Sequence, residues 1–154
     1  MYPGARTRAL RAQENTVILS GSCLCGSVIF ELSEPPEIMN LCHCSMCRKV
    51  SGSTYGTFAH ADISKFQWKQ GLDCVAKYNS SSEDYRAFCK VCGSSLPVID
   101  EGAQAVCIPA GAFDDDPQVK PALEIFLGSK APWYSSEGKI PGFAEFAPDD
   151  FLEQ

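Results

Sequence analysis

Seven of the nine cysteines in this 154-residue chain fall into three tight clusters, and their spacing limits the fold more than any other feature. The clusters are Cys23-Leu24-Cys25, Cys42-His43-Cys44-Ser45-Met46-Cys47 and Cys89-Lys90-Val91-Cys92, with Cys74 and Cys107 left alone. Nine cysteines is a high count for a cytosolic enzyme, yet it stays below the ~8–10% of a disulfide-built miniprotein. The number is odd, the chain is long enough to bury a core without cross-links, and no export signal is legible at its start. Reduced thiols holding metal are therefore expected over a disulfide framework, with a cytoplasmic location.

A C-x-C or C-x-x-C turn can set two sulfurs on neighbouring corners of a metal tetrahedron. Cys25-Gly26-Ser27 recurs as Cys92-Gly93-Ser94, each triplet closing a cysteine pair and opening a strand-like run. Glycine supplies the positive φ that a metal-gripping turn demands after its last ligand. These two knuckles read as halves of one site formed by Cys23, Cys25, Cys89 and Cys92. Four thiolates close the shell, so such a site is structural, and it ties together distant stretches of chain.

The middle cluster has another character. Cys42, Cys44 and Cys47 offer three thiolates with no obvious fourth partner, the pattern of a catalytic zinc with one open position. His43 is expected to point away from the metal, because neighbouring side chains on an extended chain diverge. His60, placed just past a strand-like run, reads as a solvated turn histidine. Zinc bound by three thiolates carries a net negative charge. It is a poor polariser of water and better suited to an incoming thiol. Arg48 and Lys49 follow directly and can offset that charge, which makes Arg48 the candidate substrate-binding residue; Arg86 is a further nearby cation. Cys74 and Cys107 read as small buried hydrophobes.

The rest of the chain organises around these clusters. Runs at 17–19, 28–32, 54–59, 75–78, 95–99, 105–109 and 123–127 are β-branched or aromatic and bounded by Gly, Ser and Pro, so they read as strands. Helical pattern is scarce, with short turns expected at 47–52 and 62–66. Residues 1–15, with Arg6, Arg8 and Arg11, read as a disordered arm, 16–147 as a single mostly β domain, and 148–154 as an acidic tail. A net charge of −6 argues against a phosphate-backbone partner, and no apolar run approaches the ~20 residues of a membrane span. The sequence does not indicate an oligomeric state.

Taken with their flanks, Gly21 to Val28, Cys42 to Lys49 and Phe88 to Ser94 resemble the glutathione-dependent formaldehyde-activating enzyme family, whose domain is shared with centromere protein V. Pro109 to Asp115 and Pro121 to Trp133 extend the resemblance. It implies a mostly β, Mss4-like (β-tent) zinc-binding fold with two zinc ions per chain. One is structural at Cys23, Cys25, Cys89 and Cys92; the other is catalytic at Cys42, Cys44 and Cys47. It implies a carbon–sulfur lyase that adds a small thiol such as glutathione to formaldehyde, giving S-hydroxymethylglutathione. Many members carry His where this chain has Glu124, a change that alters charge if the position faces the site. The alternative reading is a non-catalytic zinc module that binds a thiol metabolite or a protein partner. Methionine sulfoxide reductases share the fold, but their two C-x-x-C pairs do not match the three-cysteine middle cluster.

Overall fold

Eleven short strands and one α-helix make up the computed structural model, which describes residues 18–153. In chain order these are β1 (Leu19–Ser22), β2 (Ile29–Leu32), β3 (Ile38–Cys42), α1 (Ser45–Ser51), β4 (Gly56–Asp62), β5 (Phe66–Gln70), β6 (Val75–Asn79), β7 (Tyr85–Cys89), β8 (Ser95–Leu96), β9 (Val98–Asp100), β10 (Ala105–Pro109) and β11 (Pro121–Ile125). They form three sheets, ordered β1-β2-β5, β11-β3-β4-β10-β9 and β6-β7-β8. All pairings are antiparallel except β3 with β11. The chain is thus mostly β, as the sequence implies; the expected arm at 1–15 lies outside the described residues.

Three strands, β3, β5 and β7, lie outside the expected runs, and one expected run divides in two. β5 was not among the expected strands, although Phe66-Gln67-Trp68-Lys69-Gln70 alternates with a period of two. Its apolar residues face inward, where Phe66 stacks on Phe30 with ring centroids 5.7 Å apart. β3 was also missed, and it carries a buried Asn40 in mid-strand. The expected run at 95–99 divides into β8 and β9 around Pro97, which has no N–H to give to a ladder.

The main core lies between the first two sheets. Leu19, Phe30, Leu32, Ala61, Val106 and Ile108 are buried there, and Phe30 also meets Trp68 and Phe113 edge-on. A second cluster joins the first sheet to the third: Cys23, Val28, Ala87, Cys89 and Leu96 pack together, with Cys74 against their edge. A third surrounds Cys42, Cys47 and Phe58, with Cys107 packed on it. Cys74 and Cys107, expected to be buried, are only partly so, and they pack against the edges of the two cysteine centres. The acidic end forms a short 3-10 turn at Asp149–Glu153, and the Phe151 ring lies 5.2 Å from that of Phe143. Among the described residues no helix is long and apolar enough to cross a membrane.

Candidate functional site

Two turns bring the first four cysteines together. The β1–β2 turn carries Cys23 and Cys25, and the β7–β8 turn carries Cys89 and Cys92. Each turn is closed by a backbone hydrogen bond to its first cysteine, Gly26 N to Cys23 O at 2.9 Å and Gly93 N to Cys89 O at 2.8 Å. Gly26 and Gly93 have φ of 73° and 77°, the left-handed conformation that side chains rarely adopt. The serine after each glycine reaches back to sulfur: Ser27 Oγ is 3.2 Å from Cys25 Sγ, and Ser94 Oγ is 3.3 Å from Cys92 Sγ. The repeated Cys-Gly-Ser triplet thus has a physical role at each position. Ser94 also accepts from Leu24 N at 3.0 Å, which stitches one turn to the other.

All four sulfurs lie within 4.8 Å of one another. Cys23 Sγ and Cys25 Sγ are 3.5 Å apart, and Cys25 Sγ and Cys89 Sγ are 3.9 Å apart. A thiolate tetrahedron around zinc has an edge of about 3.8 Å, so these separations fit that shell. The Ser94 hydroxyl and amide, helped by the Cys25 amide, hold the Cys92 thiol down to about 5. The Cys92 sulfur is therefore prepared to lose its proton to a metal.

The second centre sits where β3 ends and α1 begins. Cys42 closes β3, Cys44 is the N-cap of α1, and Cys47 lies in its first turn. Their sulfurs also lie within 4.8 Å of one another; among the described residues no fourth cysteine, histidine or carboxylate joins them. Cys44 Sγ accepts from Cys47 N at 3.3 Å, so the cap itself fixes two of the three. A hydrogen bond from the Cys47 thiol holds Cys42 at about 6 against burial, aided by the Cys44 amide and the charge of Arg86. The same contact pushes Cys47 upward. Cys42 and Cys47 are buried and Cys44 is partly exposed. Both centres can hold a metal ion.

The neighbouring polar residues divide by position. Arg48 turns back along the helix, its Nε donating to His43 O and its Nη2 to Ser129 O, both at 3.3 Å. With Lys49, Thr54 and Trp133 it lines an open cleft of about 460 Å³. His43 is not part of the sulfur group. Its ring is fully buried between Tyr55 and Tyr134, and Nε2 lies 3.2 Å from Glu124 Oε1. Glu124 also accepts from the hydroxyls of Tyr134 and, at 2.5 Å, Ser136. Burial acts to raise Glu124, but hydrogen bonds from Ser136, Tyr134 and His43 hold it below its ordinary value. Tyr134 in turn is pushed up to about 12 by Glu124. Tyr55, Tyr134 and Ser136 gave no signal in the sequence, since no fixed spacing links them to the cysteines. His60 is not in a solvated turn: β4 continues through Asp62 because β10 pairs along it, and His60 Nε2 lies 2.6 Å from Asn40 Oδ1.

Known proteins resemble this chain in sequence and fold. Residues 18–129 match the family described as glutathione-dependent formaldehyde-activating enzyme. A Halomonas elongata protein named "Putative glutathione-dependent formaldehyde-activating enzyme" is 31% identical over 132 residues, covering 80% of this chain and 83% of that protein. A Schizosaccharomyces pombe protein named as an uncharacterised lyase is 34% identical over 77 residues, 49% of this chain and 53% of that one. A crystal structure of a Rhodobacter sphaeroides protein shares the fold at 19% identity and a TM-score of 0.51, covering 63% of this chain and 89% of that one.

Proposed function

This chain belongs to the glutathione-dependent formaldehyde-activating enzyme family, and we propose that it joins a small thiol of the glutathione type to formaldehyde or a related small electrophile. The observation that carries this reading is the convergence of Cys42, Cys44 and Cys47 with no fourth protein ligand among the described residues. Zinc is the metal proposed for both centres: closed and structural at Cys23, Cys25, Cys89 and Cys92, open and catalytic at Cys42, Cys44 and Cys47. Held at the open site, zinc would supply a soft Lewis acid that takes a thiol as its thiolate.

The chain's own residues do the rest. Three thiolates make the site negative, and a bound thiolate adds to that charge. Arg48 and Lys49, which line the adjacent cleft with Trp133, supply the compensating cations and a place for a carboxylate of the thiol. In the reaction the sulfur's electron pair forms the C–S bond and the carbonyl π pair moves to oxygen. The proton given up by the thiol ends on that oxygen. The reverse direction cleaves the C–S bond, which places the reaction among carbon–sulfur lyases.

Isothermal titration of the metal-loaded protein with glutathione and with S-methylglutathione tests this reading. The methylated compound cannot become a thiolate, so glutathione is expected to bind at least about tenfold more tightly, and Arg48→Ala to weaken it. Equal affinity for the two compounds would show that sulfur does not meet the metal, and would favour the non-catalytic reading. The two sites should also differ in lability. Mild chelation is expected to remove one metal equivalent while the circular dichroism spectrum persists. Loss of both metals together, with unfolding, would contradict the division of roles.

A further inference from the structure

The buried carboxylate of Glu124 has no part in the reading above, yet it is the most heavily tied side chain near the three-cysteine centre. Glu124 lies on β11, opposite Leu41 of β3, and the next pair in register is Ile125 with Cys42. Ile125 O accepts from His43 N at 3.0 Å, so β11 runs alongside the strand end that delivers the first thiol. Glu124 is 2% exposed and His43 is 0% exposed. The His43 ring has aromatic rings beside it, with centroids 4.6 Å away for Tyr134 and 5.2 Å for Tyr55. Its one polar contact among the described residues is with Glu124, since Nδ1 has no partner there. The carboxylate therefore sets how that ring is turned.

Glu124 is also anchored on its other side. Its backbone N donates to Pro141 O at 2.8 Å, its carbonyl accepts from Phe143 N at 2.9 Å, and its side chain accepts from Tyr134 and Ser136. The segment that carries Trp133, a wall of the cleft, is thus fastened to the same carboxylate. Residue 43 stands between two of the three thiols, so anchoring its buried ring on Glu124 and its N–H on Ile125 O holds the backbone that spaces Cys42 and Cys44.

We propose that Glu124 is a positioning residue for the three-cysteine centre, acting through His43 to hold the Cys42 and Cys44 sulfurs in metal-binding geometry and through Tyr134 and Ser136 to hold the adjoining cleft wall. The inference rests on the reading that Cys42, Cys44 and Cys47 hold a metal. Groups hydrogen-bonded directly to a ligand typically change metal affinity by about 10–100-fold when removed, and Glu124 acts one residue further out, which places its effect at the lower end of that range.

The test uses the full chain loaded with cobalt(II), whose ligand-field bands report the geometry of a thiolate site, and a competing chelator that reads the affinity of the labile equivalent. Glu124→Ala is expected to weaken that equivalent about tenfold or more and to shift its bands, leaving the four-cysteine site at wild-type affinity. Glu124→Gln keeps the shape and one acceptor, so it should fold and fall between wild type and Glu124→Ala; it decides the matter if the alanine variant does not fold. Leu32→Ala, in the core between the first two sheets, controls for lost stability and should leave spectrum and affinity unchanged. Glu124 variants that resemble Leu32→Ala, with a lower Tm but wild-type bands and affinity, would overturn the proposal. Cys44→Ser separates the two levels: if it keeps both metal equivalents, the metal reading itself fails, whereas its loss of one equivalent leaves the Glu124 result to stand or fall alone.

Discussion

Cys89→Ser is expected to abolish cooperative folding, or to lower Tm by at least about 15 °C if a transition survives. Cys89 is fully buried at the end of β7, inside the cluster that joins the first and third sheets. Its Sγ lies 3.9 Å from that of Cys25, a residue 64 positions earlier, so the pair of turns closes most of the first half of the domain. A cross-link over a loop of that length restricts the unfolded chain by about 4 kcal/mol. Structural zinc sites contribute on the order of 10 kcal/mol at neutral pH, comparable to the whole stability of a domain this size. Serine would remove one of the four sulfurs proposed to hold a metal, and would leave a hydroxyl in an apolar cluster. Circular dichroism melts and proton NMR dispersion read the outcome. A melt matching wild type would show that this centre does not hold the fold together.

Cys44→Ser should have the opposite profile: a folded protein with Tm within about 3 °C of wild type, one metal equivalent fewer, and thiol-dependent activity reduced at least about 100-fold. The reason is that Cys44 has two separable tasks. As N-cap of α1 its side chain accepts from Cys47 N, and serine performs that task at least as well. As a thiolate it would supply one of only three soft ligands to the proposed metal, and a serine oxygen would replace it poorly. Metal analysis by mass spectrometry alongside the melt distinguishes the two tasks. If Cys89→Ser and Cys44→Ser behave alike, the assignment of one structural and one catalytic centre is wrong.

What could be read from the sequence was whatever is encoded locally. The Cys-Gly-Ser triplets announce two turns because a positive φ and a sulfur-to-hydroxyl contact both lie within three residues. The N-cap geometry of Cys44 is local in the same way. The Glu124 network was illegible because His43 and Glu124 are 81 positions apart and meet through the parallel pairing of β3 with β11, which leaves no periodic signature. Glu124 drew notice only through the family resemblance, as a departure from histidine. β5 did carry a period-two signal in Phe66 and Trp68, but the short 3-10 turn at Ile63–Lys65 runs directly into it and blurs its start. In the sequence only charge and position mark Arg48. Sequence could not reveal that its guanidinium spends hydrogen bonds on the carbonyls of His43 and Ser129.

The central claim is that the three-cysteine centre promotes bond formation between a thiol and formaldehyde. Exchange spectroscopy by NMR on glutathione and formaldehyde at equilibrium tests it directly, because it reads the rate of S-hydroxymethylglutathione formation and breakdown without a coupling enzyme. The zinc-loaded protein at catalytic concentration should accelerate exchange well above the spontaneous rate, and Cys44→Ser should return it to that rate. An exchange rate unchanged by the wild-type protein, with zinc verified at both centres, would contradict the account.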